Sequence, residues 1–437
     1  MFLERGTMKD FKENKKFQYV FLTKEEDDDV EMVLAKKAIQ KLIDEKYIIP
    51  THREEKNGSQ FLVQENPEVF SYPFEWSFDM LKDASLIFLK VVQECIDADL
   101  SVHTASSNSI IYHEGSMKFR SILDISGVSN RDEWPGYSKF LEVFVFPLLF
   151  GAIFELDPAT WWKATLRGMP FDEAVKLLGR HEQFQNFLNE LGIPLGDHFK
   201  SEICIEKGNA KEKICVLKKI LGSLKKQYSM QDLHWKTYQR DNSYTDPDIK
   251  NKENFITRSI EKLKVKHVVD IGANTGHYSK LVQAQVSHVV SVDSESVCID
   301  DLYGEIKNRE IKNITPLLLN LLNPTTDSGF GLREYKNIFA RINADFFLML
   351  AVMHHLTPIH IDLNVFVKSL KDIAKSGVIE WISPDEEMLK KELKKEKYRH
   401  KRYDWNYFVG LIKEDFEILE TMDVHNGYRK LCLLGPK

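Results

Sequence analysis

Val268-Val-Asp-Ile-Gly-Ala-Asn-Thr-Gly-His-Tyr-Ser279 is the stretch that decides how this chain folds. A short apolar β run ends at Asp270, and Gly272 to Gly276 turn the chain into a helical segment, Tyr278 to Gln285. Strand, glycine turn and helix start make a cradle for a nucleotide-like ligand. Glycine lets the backbone approach closely, and the first N–H groups of a helix have no partner within it. The next element, Val289-Val-Ser-Val-Asp293, is a second short strand that ends in an acid. An acid placed about twenty residues after the glycine turn can accept both hydroxyls of a ribose.

Two ligands compete for this arrangement, a dinucleotide and S-adenosyl-L-methionine. A dinucleotide site uses G-x-G-x-x-G with a helix start against the pyrophosphate. Here the run is D-I-G-A-N-T-G, with a leading acid and two glycines. That form resembles the first motif of class I methyltransferases, in which no pyrophosphate is bound. The resemblance implies that Asp270 serves the methionine end of the cofactor, while the residues alone leave a loop-holding role open. Gly272, Ala273 and Gly276 serve backbone geometry, and Asn274 and Thr275 add polar contacts or cap the helix. Asp293 is assigned to the ribose, with a turn role as the alternative. Ser294 and Glu295 are expected to shape the adenine pocket.

Outward from this core, helix and strand periods alternate from Asn254 on. A helix from Phe255 to Leu263 leads into the first strand. Further strands are expected at Ile314 to Leu319, Asp345 to Leu350 and Val378 to Ile382, with an antiparallel edge pair at Phe416 to Glu420 and Lys430 to Leu434. Five parallel strands with crossover helices place a ligand beyond their carboxyl ends. After the third strand, the carbonyl of Asn320 is a candidate for the adenine amino group, and Leu319 or Leu321 for packing on the ring. Asn323, before Pro324, reads as a turn residue. The fourth strand ends in Ala351-Val-Met-His354-His355. Either histidine could take a proton from an acceptor hydroxyl, or merely bond the backbone; the sequence does not rank them. Methyl transfer needs little acid–base help, because alignment supplies much of the rate.

The chain has 437 residues, which points to two domains, expected at 1–230 and 231–437. Its net charge of −6 gives no basis for a general nucleic-acid binder. Five scattered cysteines argue against a disulfide framework and a zinc site, so no metal is expected. With no apolar leader at the N-terminus and a Phe140–Phe154 stretch too short for a bilayer, the expected compartment is the cytoplasm. The first two dozen residues read as loosely ordered. Glu25 to Asp29 precedes a helix from Met32 to Tyr47, and another helix spans Phe78 to Ile96. Ser109 to Tyr112 and Lys118 to Ile125 read as a hairpin, and Trp134 to Tyr228 as mostly helical. Lys390 to Arg402 has eight basic residues against two acids. Its default reading is a solvated helix face; the sharper one is recognition of an anionic acceptor.

The C-terminal half resembles methyltransferases of the NoeA type, a family named for a host-specific nodulation protein. The matching segments are VVDIGANTGHYS, VVSVD, ITPLLLNLLNPT, ADFFLMLAVMHHL and GVIEWISPDEEM. The resemblance extends to Tyr238 and Tyr244, and implies that one or both cover the cofactor. In the N-terminal half, over 77–155, the relatives' pattern is similar to the acid–asparagine–acid order of kinase-like folds. Here Thr104 and Ser109 replace the first two and Asp124 remains, so phosphoryl transfer is not expected.

These readings converge on an α/β chain. A Rossmann-like class I methyltransferase domain with a seven-stranded, mostly parallel sheet follows an α+β, largely helical accessory domain. The expected activity is methylation of an oxygen, or else a nitrogen, on a small-molecule, glycan or lipid-linked acceptor. The glycan and lipid classes follow from the nodulation association of the family. The rivals are an inactive methyltransferase-fold interaction module and a nucleic-acid methyltransferase. Preserved glycines and Asp293 weigh against the first. The acidic balance, and Ala351-Val-Met-His354 where an Asn-Pro-Pro-Tyr-like motif would stand, weigh against the second.

Overall fold

A computed structural model describes residues 16–128, 133–193, 209–230, 244–356, 363–387 and 404–437, with residues 233, 236, 389 and 390. The chain divides into two compact units, Met1–Tyr228 and Ser229–Lys437.

In the C-terminal unit the strands are β1 (His267–Ile271), β2 (His288–Asp293), β3 (Ile314–Leu318), β4 (Phe346–Met349), β5 (Ser376–Ile382), β6 (Phe416–Val424) and β7 (Arg429–Pro436). They form one sheet in the order β3-β2-β1-β4-β5-β7-β6. The first five run parallel, and β7 pairs antiparallel with both β5 and β6. The order reverses direction at β1, between β2 and β4, which opens a crevice at the carboxyl ends. β3 and β4 are buried along their whole length, as expected of parallel strands covered on both faces. Val268, Val289, Ile314, Leu348 and Val378 join one core with Phe255, Ile256 and Ile260 from the helix before β1.

That helix, α1, runs from Asp246 to Leu263, starting well before the Phe255 expected from its apolar residues. Thr245 and Asp248 form a capping box, and Pro247 stands in the first turn where its missing N–H costs nothing. After the glycine turn, α2 spans only His277–Val282, and α3 spans Ser296–Asn308.

The N-terminal unit departs from expectation at its start. Phe17–Phe21 is a strand, and it pairs antiparallel with Ser59–Glu65, which in turn pairs with Thr51–Lys56. The last two form a hairpin through Asn57 (φ 53°) and Gly58 (φ 74°), the Asn-Gly turn that matches strand twist. The acidic run lies inside a helix, Lys24–Leu34, because Thr23 caps it and Glu26 completes the box. A separate helix, Lys37–Asp44, follows where one continuous helix was expected. The hairpin strands are Ile110–His113 and Ser116–Phe119, and the chain then enters a short helical turn at Ile122–Asp124. The helix Phe78–Asp97 is the spine of this unit, with Phe88 packed on Phe119, Phe140 and Phe144 at 5.4–5.6 Å. The apolar tract Tyr137–Phe154 is long enough to cross a membrane, and 61% of it is buried inside the protein.

Candidate functional site

The crevice above β1 to β4 holds a cavity of about 430 Å³. Gly272 lines it, and Gly276 closes the same turn. Both have positive φ, and a Cβ at Gly272 would come within 2.3 Å of Val352 Cγ2, one at Gly276 within 2.5 Å of Leu302 Cδ1. The turn is tied down by Asp293, whose Oδ2 accepts the Asn274 N–H at 2.7 Å and whose Oδ1 accepts the Glu295 N–H at 2.9 Å. The Ser294 N–H draws on the same carboxylate, which has about four acceptor sites in all. Burial pushes the Asp293 carboxyl above its ordinary value.

Asp270 is buried at the end of β1 and accepts the Ser279 hydroxyl at 2.6 Å, and Ser279 accepts that of Ser291 at 2.7 Å. Burial raises its carboxyl to about 6, against the pull of that hydroxyl. Of the residues singled out from sequence, Asp270, Gly272, Ala273, Asn274, Asp293, Ser294, Asn320, Leu321, Tyr244 and His355 all line the cavity. Thr275 and Gly276 shape the turn without lining it, and Asn274 Oδ1 accepts the Thr275 N–H at 2.8 Å. No side chain caps α2. Asn320 Oδ1 accepts the Leu322 N–H at 2.9 Å, which holds the loop after β3. Tyr238 and nearly all of Lys390 to Arg402 lie outside the described residues.

The two histidines differ in place. His355 borders the cavity, whereas His354 is buried and does not. Burial lowers the His355 imidazole to about 4, helped by the charge of Arg429, so the ring is neutral at physiological pH. Ala351, at the end of β4, takes a left-handed backbone (φ 53°) beside the same cavity.

Behind the cavity lies a buried polar cluster of which sequence reading singled out only Tyr244. Lys252 Nζ donates to Glu380 Oε2 at 2.7 Å and to the Tyr244 hydroxyl at 3.2 Å. The Tyr244 hydroxyl donates to Glu380 Oε1 and accepts from Arg429 Nη1 at 2.8 Å, while Arg429 Nη2 donates to Glu386 Oε1 at 3.3 Å. Lys252 and Tyr244 line the cavity, as do Tyr278, His277 and Ile249. The only sequence signal was spacing: Lys252 falls in register with Phe255, Ile256, Ser259 and Ile260 on the buried face of α1.

Over 427 residues the chain is 24% identical to the nodulation protein NoeA of Rhizobium meliloti (strain 1021), covering 92% of this chain and 89% of NoeA. The chain is thus similar to NoeA over nearly the whole length of both proteins. No protein-family model matches it. Similar solved structures include PH0226 from Pyrococcus horikoshii OT3, at 18% identity over 46% of this chain and 98% of that one, with a TM-score of 0.33. Another is the N-methyltransferase NodS from Bradyrhizobium japonicum WM9, solved with S-adenosyl-L-homocysteine. It is 10% identical, covering 45% of this chain and 90% of NodS at a TM-score of 0.33. The bifunctional kinase-methyltransferase WbdD is 14% identical, covering 45% of this chain and 41% of WbdD at a TM-score of 0.34.

Proposed function

We propose that the C-terminal unit binds S-adenosyl-L-methionine in the 430 Å³ cavity and methylates an oxygen, or else a nitrogen, of a small-molecule, glycan or lipid-linked acceptor. The observation that carries this reading is convergence. Asp270, the Gly272 turn, Asp293 and the Leu319–Asn320–Leu321 loop come from three strand ends and meet around one cavity of cofactor size. The donor set fits the cofactor: a buried acid for an ammonium, a second acid for ribose hydroxyls, and leucines for a base.

When bound, the cofactor supplies the methyl group, whose bond to sulfur breaks as the bond to the acceptor forms, leaving S-adenosyl-L-homocysteine. Asp293 orients the ribose, Asp270 holds the α-ammonium, and Leu319 and Leu321 exclude water from the adenine. His355, neutral and beside the cavity, is the residue assigned to receive the proton of an acceptor hydroxyl. The N-terminal unit is assigned to acceptor choice, which accords with a relative named for nodulation. Free thiols at Cys95, Cys215, Cys298 and Cys432 accord with a cytoplasmic site of action.

The test is calorimetric titration of the full chain with S-adenosyl-L-methionine, alongside Asp293→Ala. Saturable one-to-one binding that the substitution weakens at least about tenfold supports the reading, since one charge-assisted bond is worth that much. Folded protein that takes up no cofactor sinks it and favours an interaction module.

A further inference from the structure

Lys252 stands where an amphipathic helix would place an apolar residue. It is 2% exposed, and Glu380 beneath it is 1% exposed. Replacing such a buried ion pair by apolar side chains is often neutral or stabilising, so stability alone does not account for it. Its surroundings hold equal numbers of charges, Lys252 and Arg429 against Glu380 and Glu386. The flat faces nearby are already in use. The Lys252 ammonium sits 4.8 Å from the Tyr244 ring centre and 5.0 Å from that of Tyr278, and the Arg429 guanidinium 4.6 Å from Tyr244. The cluster therefore offers the cavity not an aromatic cage but a donor. An ammonium has three N–H groups. Among the described residues Glu380 and the Tyr244 hydroxyl accept two, and the Lys252 side chain borders the cavity.

We propose that Lys252 receives the α-carboxylate of the bound cofactor on its third N–H, and that Glu380, outside the cavity, is the positioning residue that holds it there. This rests on the cofactor reading above. Asp270 lines the same cavity and, on that reading, takes the α-ammonium, so the two buried charges of opposite sign recognise an amino-acid zwitterion. Each charge is felt at the other: Lys252 counters the burial that raises Asp270, and Asp270 counters the burial that lowers Lys252. Glu380 serves through geometry and charge. Its two oxygens bind Lys252 and Tyr244 separately, which fixes both lining side chains against β5. A nucleoside lacking the amino-acid carboxylate leaves the third N–H buried without an acceptor, and that is the basis of selectivity.

The experiment compares binding of S-adenosyl-L-homocysteine and its decarboxylated analogue to the full chain. The wild-type protein is expected to prefer the carboxylate-bearing ligand by at least about tenfold, the range of a charged hydrogen bond. Lys252→Met binds the two alike, and Glu380→Gln shrinks the preference while still binding the analogue. A purely structural role would weaken both ligands together and leave their ratio unchanged. If either single variant fails to fold, Lys252→Met with Glu380→Gln, which leaves neither partner of the pair charged, carries the comparison. Equal binding of both ligands by wild type, or a preference retained without Lys252, overturns the proposal while the cofactor reading stands. Wild-type protein that binds neither ligand overturns both.

Discussion

Asp270 is the residue whose chemistry is most exposed to test. Burial raises its carboxyl to about 6, from roughly 3.9 in an unfolded chain. A raised folded-state value means that the folded protein holds this proton more tightly. The group's contribution to stability is therefore full below about pH 4 and lost as pH rises through about 6. Cofactor binding should run the other way, because only the ionised carboxylate pairs with an α-ammonium. Affinity for S-adenosyl-L-homocysteine is expected to fall by up to about tenfold per pH unit below 6. Asp270→Asn should bind weakly and lose that slope, which also removes Asp293 as its source. Titrations at several pH values between 5 and 7.5 decide it; a flat wild-type profile would count against Asp270 as the ammonium site. This acid was legible in the sequence because strand, turn and helix are contiguous. Lys252 and Glu380 were not, since their partnership spans 128 positions and a lysine in a charged helix reads as solvated.

At the scale of elements, the turn after β1 couples two strand ends. Gly272 needs both its left-handed backbone and the space beside Val352, which follows β4. Gly272→Ala should cost about 1–3 kcal/mol, from the positive φ and from the methyl driven against Val352 Cγ2. Adding Val352→Ala removes the steric share and leaves the backbone share, so the double variant should recover part of the loss. Denaturant unfolding of the four proteins measures it. If the second substitution makes matters worse by its full separate cost, the contact is not the source. Strand legibility followed the same logic of burial. β3 and β4, buried throughout, announce themselves as apolar runs, whereas Thr51–Lys56 is polar at every position and carries no such pattern. Its readable mark was the Asn57-Gly58 turn rather than the strand. The start of α1 was hidden likewise, because capping by Thr245 and Asp248 begins the helix before its apolar face does.

At the scale of the molecule, the sheet explains why so much of the site sits in one unit. Every residue bordering the cavity falls between Tyr244 and His355, and the charges behind it reach through Glu380 on β5 to Arg429 on β7. Residues 229–437 thus contain the cradle, both acids, the lysine and the counter-charges that hold it. That unit also has its own core, drawn from α1, the sheet and α3, and is of a size that folds independently in other proteins. A fragment of residues 229–437 is therefore expected to fold cooperatively and to bind S-adenosyl-L-homocysteine within a few-fold of the full chain. Circular dichroism establishes the first and calorimetry the second. Acceptor methylation, by contrast, should be lost, because the residues assigned to choosing the acceptor are gone. A folded fragment that binds nothing, while the full chain binds, would place part of the cofactor site in residues 1–228. The cavity's own residues would then be insufficient, and the assignment of Asp270, Asp293 and Lys252 to one complete ligand would have to be abandoned.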